Sequence, residues 1–180
     1  MNKIIFFDNE SQNLGCCAEQ KYHLFLDYAF SKTDYFMLVY VNYYGKGYTK
    51  SQKHFRDALS PYKVKTRANP SWPGTLKTAC PNTSYKIVFY KTVEEAKLVL
   101  KEVSCISAWT RGYPEDLAFF IGNQCWFYSV GHEKIAAVID ATEEDIDFLE
   151  SIGLAQRKNA YVPKDNYFDA YDELLPEVKK

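Results

Sequence analysis

Apolar residues in the first quarter of the chain predict two strands and one helix. Residues 3 to 7 form a short apolar run, which is typical of a strand. Between Cys16 and Ser31 the apolar residues recur at helical spacing, which predicts a helix. The run from Phe36 to Val41 is apolar at successive positions, so both faces of an extended chain would be buried. We therefore expect a strand in the middle of a sheet.

The next part of the chain predicts a short helix, an alternating strand and a loop. Pro61 is expected to end the helix, because proline cannot continue the hydrogen-bond ladder. Residues 62 to 67 alternate, with Tyr62, Val64 and Thr66 predicted to face the interior. The intervening cationic side chains are predicted to form a basic stripe in solvent: Lys63, Lys65 and Arg67. Prolines around Trp72 predict an irregular surface loop.

The second half of the chain predicts strands joined by tight turns. A strand at 85 to 90 precedes a helix whose start is predicted to be capped by Thr92 and Glu95. Gly122 and Asn123 supply the backbone freedom that a hairpin turn requires. Three apolar runs form a predicted meander: Leu117 to Ile121, Cys125 to Val130 and Ile135 to Ile139.

A last helix is predicted after the meander, with Thr142 at its start and Gly153 at its end. Because helices and strands do not alternate strictly, the pattern predicts an α+β fold with a mixed or antiparallel sheet covered by helices on at least one face. A length of 180 residues suits a single domain spanning residues 1–180. The aromatic content of 17% either packs this sheet or forms a binding face.

Cysteine and histidine usage favours a protein with reduced thiols and without a metal or cofactor. Five cysteines are an odd number with no CxxC pair, and the three histidines lie at no metal-binding spacing. The apolar run at the N-terminus is too short for a signal peptide or a membrane span. We therefore expect a cytoplasmic protein with no membrane partner.

Charge is segregated along the chain. Residues 43–101 carry twelve Lys or Arg and three acids, whereas the residues from Glu102 onward carry fifteen acids and seven bases. The net charge of −1 hides this asymmetry, which selects and steers charged partners. In the basic segment 43–101, rings and cations alternate as they do on single-stranded nucleic-acid surfaces. A solvated face that balances the acidic part is the alternative interpretation.

One window contains the residue types of an active site. If the two strands of the predicted hairpin pair, their outer ends bring a base, acids and a cation to one rim. The candidate rim residues are Trp109, Arg111, Glu115, Asp116, His132 and Glu133. Pro-Glu-Asp and Gly-His-Glu are also ordinary turn sequences, so a purely structural role stays open. A Cys125–His132 nucleophile pair lacks a feature that would lower the thiol pKa.

The acidic C-terminal segment interleaves aromatic and acidic residues, a composition that suits docking of a basic protein. The candidate partner-binding residues are Asp165, Tyr167, Asp169, Tyr171, Asp172 and Glu173.

The sequence resembles the small bacterial immunity proteins that neutralise toxins of competing cells. The resemblance covers roughly the last 75 residues, with Tyr113-Pro114-Glu115-Asp116-Leu117 followed by Trp126-Phe127-Tyr128-Ser129-Val130-Gly131-His132-Glu133. It implies occlusion of a nuclease toxin's basic active site by acidic and aromatic groups.

Three functions therefore stand as hypotheses. The first is a non-enzymatic, immunity-type inhibitor that binds a basic, nuclease-like toxin. The second is a nucleic-acid-binding protein that uses the basic segment 43–101. The third is a small hydrolase or transferase with a rim site near His132.

Overall fold

The computed structural model of the protein describes residues 3–8, 18–75 and 85–162. These residues form four α-helices: α1 (Ala18–Lys32), α2 (Lys50–Ala58), α3 (Glu94–Leu100) and α4 (Glu143–Ser151). They also form eight strands: β1 (Lys3–Phe6), β2 (Tyr35–Tyr40), β3 (Lys63–Asn69), β4 (Tyr85–Lys91), β5 (Glu115–Ile121), β6 (Gln124–Val130), β7 (Ile135–Ala141) and β8 (Ala160–Tyr161).

All eight strands belong to one sheet in the order β3-β4-β2-β5-β6-β7-β1-β8, and every neighbouring pair is antiparallel. The α+β prediction is confirmed, and the sheet is antiparallel rather than mixed. Strands β2, β5 and β6 are neighbours, as their apolar patterns predict. Gly122, at φ 53°, forms the turn that joins β5 to β6.

The two faces of the sheet are buried differently. All four helices contribute to a large apolar cluster on one face, where Phe25, Phe119 and Phe127 pack together. The other face carries a smaller cluster that includes Met37, Phe120 and Trp72, to which no residue of the four helices contributes. Strand β2 supplies buried side chains to both clusters, which explains its continuous apolar run.

Strand β3 differs from its predicted orientation. A β-bulge lies between Lys63 and Lys65, so Lys63 pairs with Tyr90 while Lys65 pairs with the preceding residue of β4, Phe89. These two lysines therefore lie on opposite faces of the sheet, although residues two apart normally share a face. Val64 is 36% exposed instead of buried. The predicted single basic stripe is wrong because the bulge divides it.

Helix starts agree with the sequence in one case and differ in another. Thr142 caps α4: its side-chain oxygen accepts a hydrogen bond from the Asp145 N–H, and the Asp145 carboxylate accepts one from the Thr142 N–H. The predicted cap at Thr92 is wrong, because α3 begins one residue later, after Val93. The Thr92 hydroxyl instead donates to the carbonyl of Thr33.

Candidate functional site

The candidate site lies at one end of the sheet, where loops meet the start of β5. Tyr43 follows β2, Trp72 follows β3 and Gly131 follows β6. Their segments surround Glu115 and Asp116, which are consecutive in β5 and yet both buried, at 6% and 1% exposed. Consecutive strand residues normally point to opposite faces, and both faces of this sheet are covered, so burial of both residues needs no distortion. Strand β5 is nevertheless locally distorted, because its pairing with β2 shifts register here.

Asp116 supplies that distortion. The pairing of β5 with β2 shifts register at this point, and Asp116 adopts φ 54°. Aspartate is one of the few residue types that occupy this left-handed region readily. Its own N–H donates to the Trp109 carbonyl at 3.1 Å, which fixes the distorted backbone.

The Asp116 carboxylate joins two separate segments. Its Oδ2 accepts a hydrogen bond from the Trp72 indole N–H at 2.8 Å, and its Oδ1 accepts one from the Gly131 N–H at 2.9 Å. Burial raises the pKa of Asp116 to about 6, although these two hydrogen bonds favour the charged form. The Asp116 side chain therefore connects the Trp72 loop to the turn after β6 through hydrogen bonds.

Gly131 is required by the closeness of this packing. A β-carbon at position 131 would lie 2.1 Å from the carbonyl oxygen of Trp109, which is far inside van der Waals contact. Gly74 is similarly close to the side chains of Tyr128 and Val130, at 2.7 Å from each. Both glycines allow loops to lie directly on the end of the sheet.

Glu115 forms the second half of the cluster. Its Oε1 accepts a hydrogen bond from the Tyr43 hydroxyl at 2.5 Å. The guanidinium of Arg111 lies over the Tyr43 ring, 5.2 Å from its centre, and forms a cation–π interaction with it. Burial raises the pKa of Glu115, and this rise is opposed by the Tyr43 hydrogen bond and by the charges of His132 and Arg111.

The predicted rim residues divide into an interior set and an exposed set. His132 and Glu133 are exposed, with the His132 Nε2 atom 3.7 Å from the Glu133 Oε1 atom. Arg111 is exposed as well. Trp109 is fully buried: it packs edge-on against Phe55 and donates its indole N–H to the Tyr22 hydroxyl at 2.9 Å. Its side chain therefore belongs to the core.

The arrangement limits the chemistry that this site supports. Carboxyl groups with a raised pKa beside a histidine are typical of acid–base sites. Here both oxygens of Asp116 already accept hydrogen bonds from the protein, and one oxygen of Glu115 accepts one from Tyr43. A network of this kind holds loops in place, because each buried acceptor has a donor.

Two members of the cluster were not predicted from the sequence. The sequence pattern places Tyr43 in the basic segment and Trp72 in an irregular loop, and it links neither residue to Glu115 or Asp116. The isolated tryptophan in a loop rich in proline was the available signal, because its indole N–H needs an acceptor when it is buried.

The other sequence predictions have separate outcomes. Burial raises the pKa of the Cys125 thiol, which disfavours its use as a nucleophile. Within residues 3–8, 18–75 and 85–162, no group of three or more His, Cys, Asp or Glu side chains is placed to hold a metal ion. The partner-binding candidates lie outside the described residues: Asp165, Tyr167, Asp169, Tyr171, Asp172 and Glu173.

Comparisons with known proteins found no match to a family model, to a curated protein or to a solved structure. In the part of the chain that the structure describes, no helix has the length and apolar character needed to cross a membrane.

Proposed function

We propose that this protein is a non-enzymatic binding protein of the immunity type, which inhibits a basic, nuclease-like toxin by covering its active site. The observation that carries the proposal is an exposed apolar pair on the edge strand β8 and just after it. Tyr161 is 48% exposed and Val162 is 44% exposed. Large apolar side chains grouped on a surface favour contact with another protein.

The exposed pair belongs to a small aromatic patch. Tyr161 stacks on Phe6 with ring centres 5.9 Å apart. Strand β8 pairs with β1 alone among the described strands, so its outer side borders no described strand. Tyrosine at such a position gives a large contact area at a small entropic cost, as interface anchors do.

Charge near this edge supports a basic partner. Helix α4 lies beside it, because Lys3 of β1 pairs with Glu143 at 2.5 Å. One cation, Arg157, pairs with three carboxylates of α4: Glu143, Asp147 and Glu150. Because a single positive charge faces three negative ones, the acidic surface of α4 is only partly neutralised. The chain then continues after Val162 into the acidic and aromatic segment that contains Asp165 and Tyr167. A net negative surface around an apolar anchor complements a basic active site.

The rim cluster also supports a binding role over a catalytic one. Asp116 has the most strongly raised carboxyl pKa in the cluster, but its two oxygens already bind the Trp72 indole and the Gly131 backbone. A general base must reach the proton that it abstracts. Both carboxylate oxygens of Asp116 instead accept hydrogen bonds from the protein itself.

Growth rescue tests the proposal. The toxin candidate is the product of the gene directly next to the gene for this protein, expressed so that it arrests cell growth. Co-expression of the wild-type protein is expected to restore growth, and the purified pair is expected to form a complex. The double variant Tyr161→Ala, Val162→Asp is expected to weaken the complex by at least about 30-fold, as loss of a buried interface anchor does.

Val64→Asp is the matched control, because Val64 is also an exposed apolar residue but lies on β3, at the opposite edge of the sheet. This variant is expected to rescue growth like the wild type. Failure of the wild-type protein to bind the toxin candidate would contradict the proposal. Equal loss of rescue in both variants would show that the β8 edge is not the contact surface.

A further inference from the structure

A cleft of about 220 Å³ lies on the helix-covered face at the β3 edge of the sheet. It is bounded by α2, by the turn after it and by strands β3 and β4. Its lining combines charged and hydroxyl-bearing side chains with the apolar side chain of Val88. The side chains that matter here are Arg56, Asp57, Lys63, Thr66, Lys86 and Tyr90.

Cations outnumber carboxylates in this cleft by three to one. Arg56 uses its Nε–H to bind the Asp57 Oδ1 atom at 2.8 Å, which leaves its other guanidinium donors available. Lys63 and Lys86 form no ion pair with any carboxylate among residues 3–8, 18–75 and 85–162. The Lys86 ammonium lies 5.9 Å from the centre of the Tyr48 ring. The cleft therefore holds a net positive charge without an internal counterion for two of its cations.

Tyr90, which lines the cleft, forms a hydroxyl pair with Tyr40, and one hydrogen of this pair lacks an acceptor among the described residues. The Tyr40 and Tyr90 hydroxyl oxygens are 2.8 Å apart, and both side chains are buried. Each hydroxyl carries one hydrogen, and only one of the two hydrogens can lie between the oxygens. Within the described residues, neither hydroxyl has a second hydrogen-bond partner. When the Tyr40 hydroxyl donates to the Tyr90 oxygen, the Tyr90 hydrogen is the one that remains, and since Tyr90 lines the cleft, an acceptor bound there would take it.

We propose that this cleft binds a phosphate group. A phosphate offers several acceptor oxygens and negative charge, which match the donors of Arg56, the two lysine ammonium groups and the tyrosine pair. The same donors fit a free phosphate ion or a phosphate attached to a nucleoside. These two sources share the same recognition chemistry.

The bulge in β3 provides a matched control for this proposal. Lys63 points into the cleft, whereas Lys65 lies on the opposite face of the same strand. Lys63→Gln and Lys65→Gln therefore remove the same charge from almost the same place in the sequence. Binding by the cleft depends on the first lysine alone, whereas attraction to a generally basic edge depends on both.

Isothermal titration calorimetry at low ionic strength tests the proposal with inorganic phosphate, adenosine monophosphate and adenosine. Both phosphate-bearing ligands are expected to bind and adenosine is not. Lys63→Gln is expected to weaken binding by about tenfold and Tyr90→Phe by about fivefold, with Lys65→Gln unchanged. Urea unfolding of each variant checks that the fold is retained.

The same titrations distinguish the two sources of phosphate. Equal affinity for both ligands assigns the cleft to free phosphate, and tighter binding of adenosine monophosphate assigns it to a nucleotide. The proposal would be overturned if neither phosphate-bearing ligand gave a detectable heat of binding at concentrations up to about 10 mM. It would also be overturned if a short oligothymidylate alone bound, with equal loss in Lys63→Gln and Lys65→Gln, because that result describes a diffuse nucleic-acid surface.

Discussion

At the scale of single residues, Asp116 combines a structural benefit with an electrostatic cost. Its carboxylate binds the Trp72 indole and the Gly131 backbone, which belong to segments far apart in the sequence. Burial of the charge raises its pKa to about 6. A carboxyl group with a raised pKa binds its proton more tightly in the folded state, so its contribution to stability is greatest at low pH.

Asp116→Asn tests this balance. In the wild type, the contribution of Asp116 is fully present below its unfolded pKa, near 3.8, and is lost as the pH rises through about 6. The asparagine has no such titration. We therefore expect the free energy of unfolding of the wild type, relative to the variant, to fall by roughly 2–3 kcal/mol between pH 4 and pH 7. Urea unfolding at both pH values measures it, and parallel pH profiles would contradict the assigned pKa.

Gly131→Ala tests the close packing of the turn after β6. The added β-carbon would meet the Trp109 carbonyl at 2.1 Å, so the backbone must move. We expect a loss of about 3 kcal/mol or more in the free energy of unfolding. Gly112→Ala is the comparison, because position 112 has φ 104° but no atom within 4 Å of the added carbon. Its loss, from backbone strain alone, is expected to be smaller.

At the scale of elements, the start of α4 shows the opposite electrostatic behaviour. The Asp145 carboxylate is 1% exposed, and it accepts hydrogen bonds from Lys32, Tyr28 and the Thr142 backbone. Burial alone would raise the pKa of Asp145, but these donors outweigh it and the pKa is lowered. The helix start is thus fixed to the C-terminal end of α1 by a charged group that is stable in its ionised form.

Asp145→Asn is expected to cost about 3 kcal/mol of unfolding free energy at pH 7, since the partly buried Lys32 ammonium loses its anionic partner. Because the folded pKa is lowered, the wild-type advantage is present above the unfolded pKa, near 3.8, and decreases as the pH falls below it. Urea unfolding at about pH 7 and about pH 3 measures both values. Asp147→Asn, on the exposed side of α4, is the control and is expected to change stability little at either pH.

Element by element, the sequence predicts what local pattern controls. The strands β2, β5 and β6 follow from continuous apolar runs, and the α4 cap follows from Thr142. The orientation of β3 does not, because the bulge beside Val64 arises in the pairing with β4 and has no sign in the alternation of apolar and charged residues along the β3 sequence. The Thr92 cap fails for a related reason: the Thr33 carbonyl, from another part of the chain, competes for its hydroxyl.

At the scale of the whole molecule, the charge asymmetry of the sequence becomes an asymmetry of the sheet. Segment 43–101 forms β3 and β4 at one edge, whereas the acidic α4 lies beside β1 near the other. Strand order alone produces this separation. The candidate site could not be predicted in the same way, because Trp72 and Asp116 are brought together by a loop and a distorted strand.

Charge reversal at the acidic end tests whether this asymmetry steers a partner. The triple variant in which Lys replaces Asp165, Asp169 and Asp172 is expected to associate about tenfold more slowly at low salt with the toxin identified by the growth-rescue experiment. At high salt, the association rate is expected to change little. Stopped-flow association at two ionic strengths measures the effect. Lys65→Glu, at the basic edge, is the control and is expected to leave the association rate nearly unchanged. An equal effect of both changes would contradict steering by the acidic end.

The charged edge strand has a further consequence, for solubility. The outer side of β3 borders no described strand, and a strand from another molecule would have to pair along this side. Lys63, Lys65 and Arg67 place cations along this edge, on both faces because of the bulge. Two such edges repel each other, and the bulge interrupts the regular ladder that a second strand would need. Strand β8, at the other end, is only two residues long. Both described edges of the sheet, β3 and β8, therefore have features that oppose edge-to-edge aggregation.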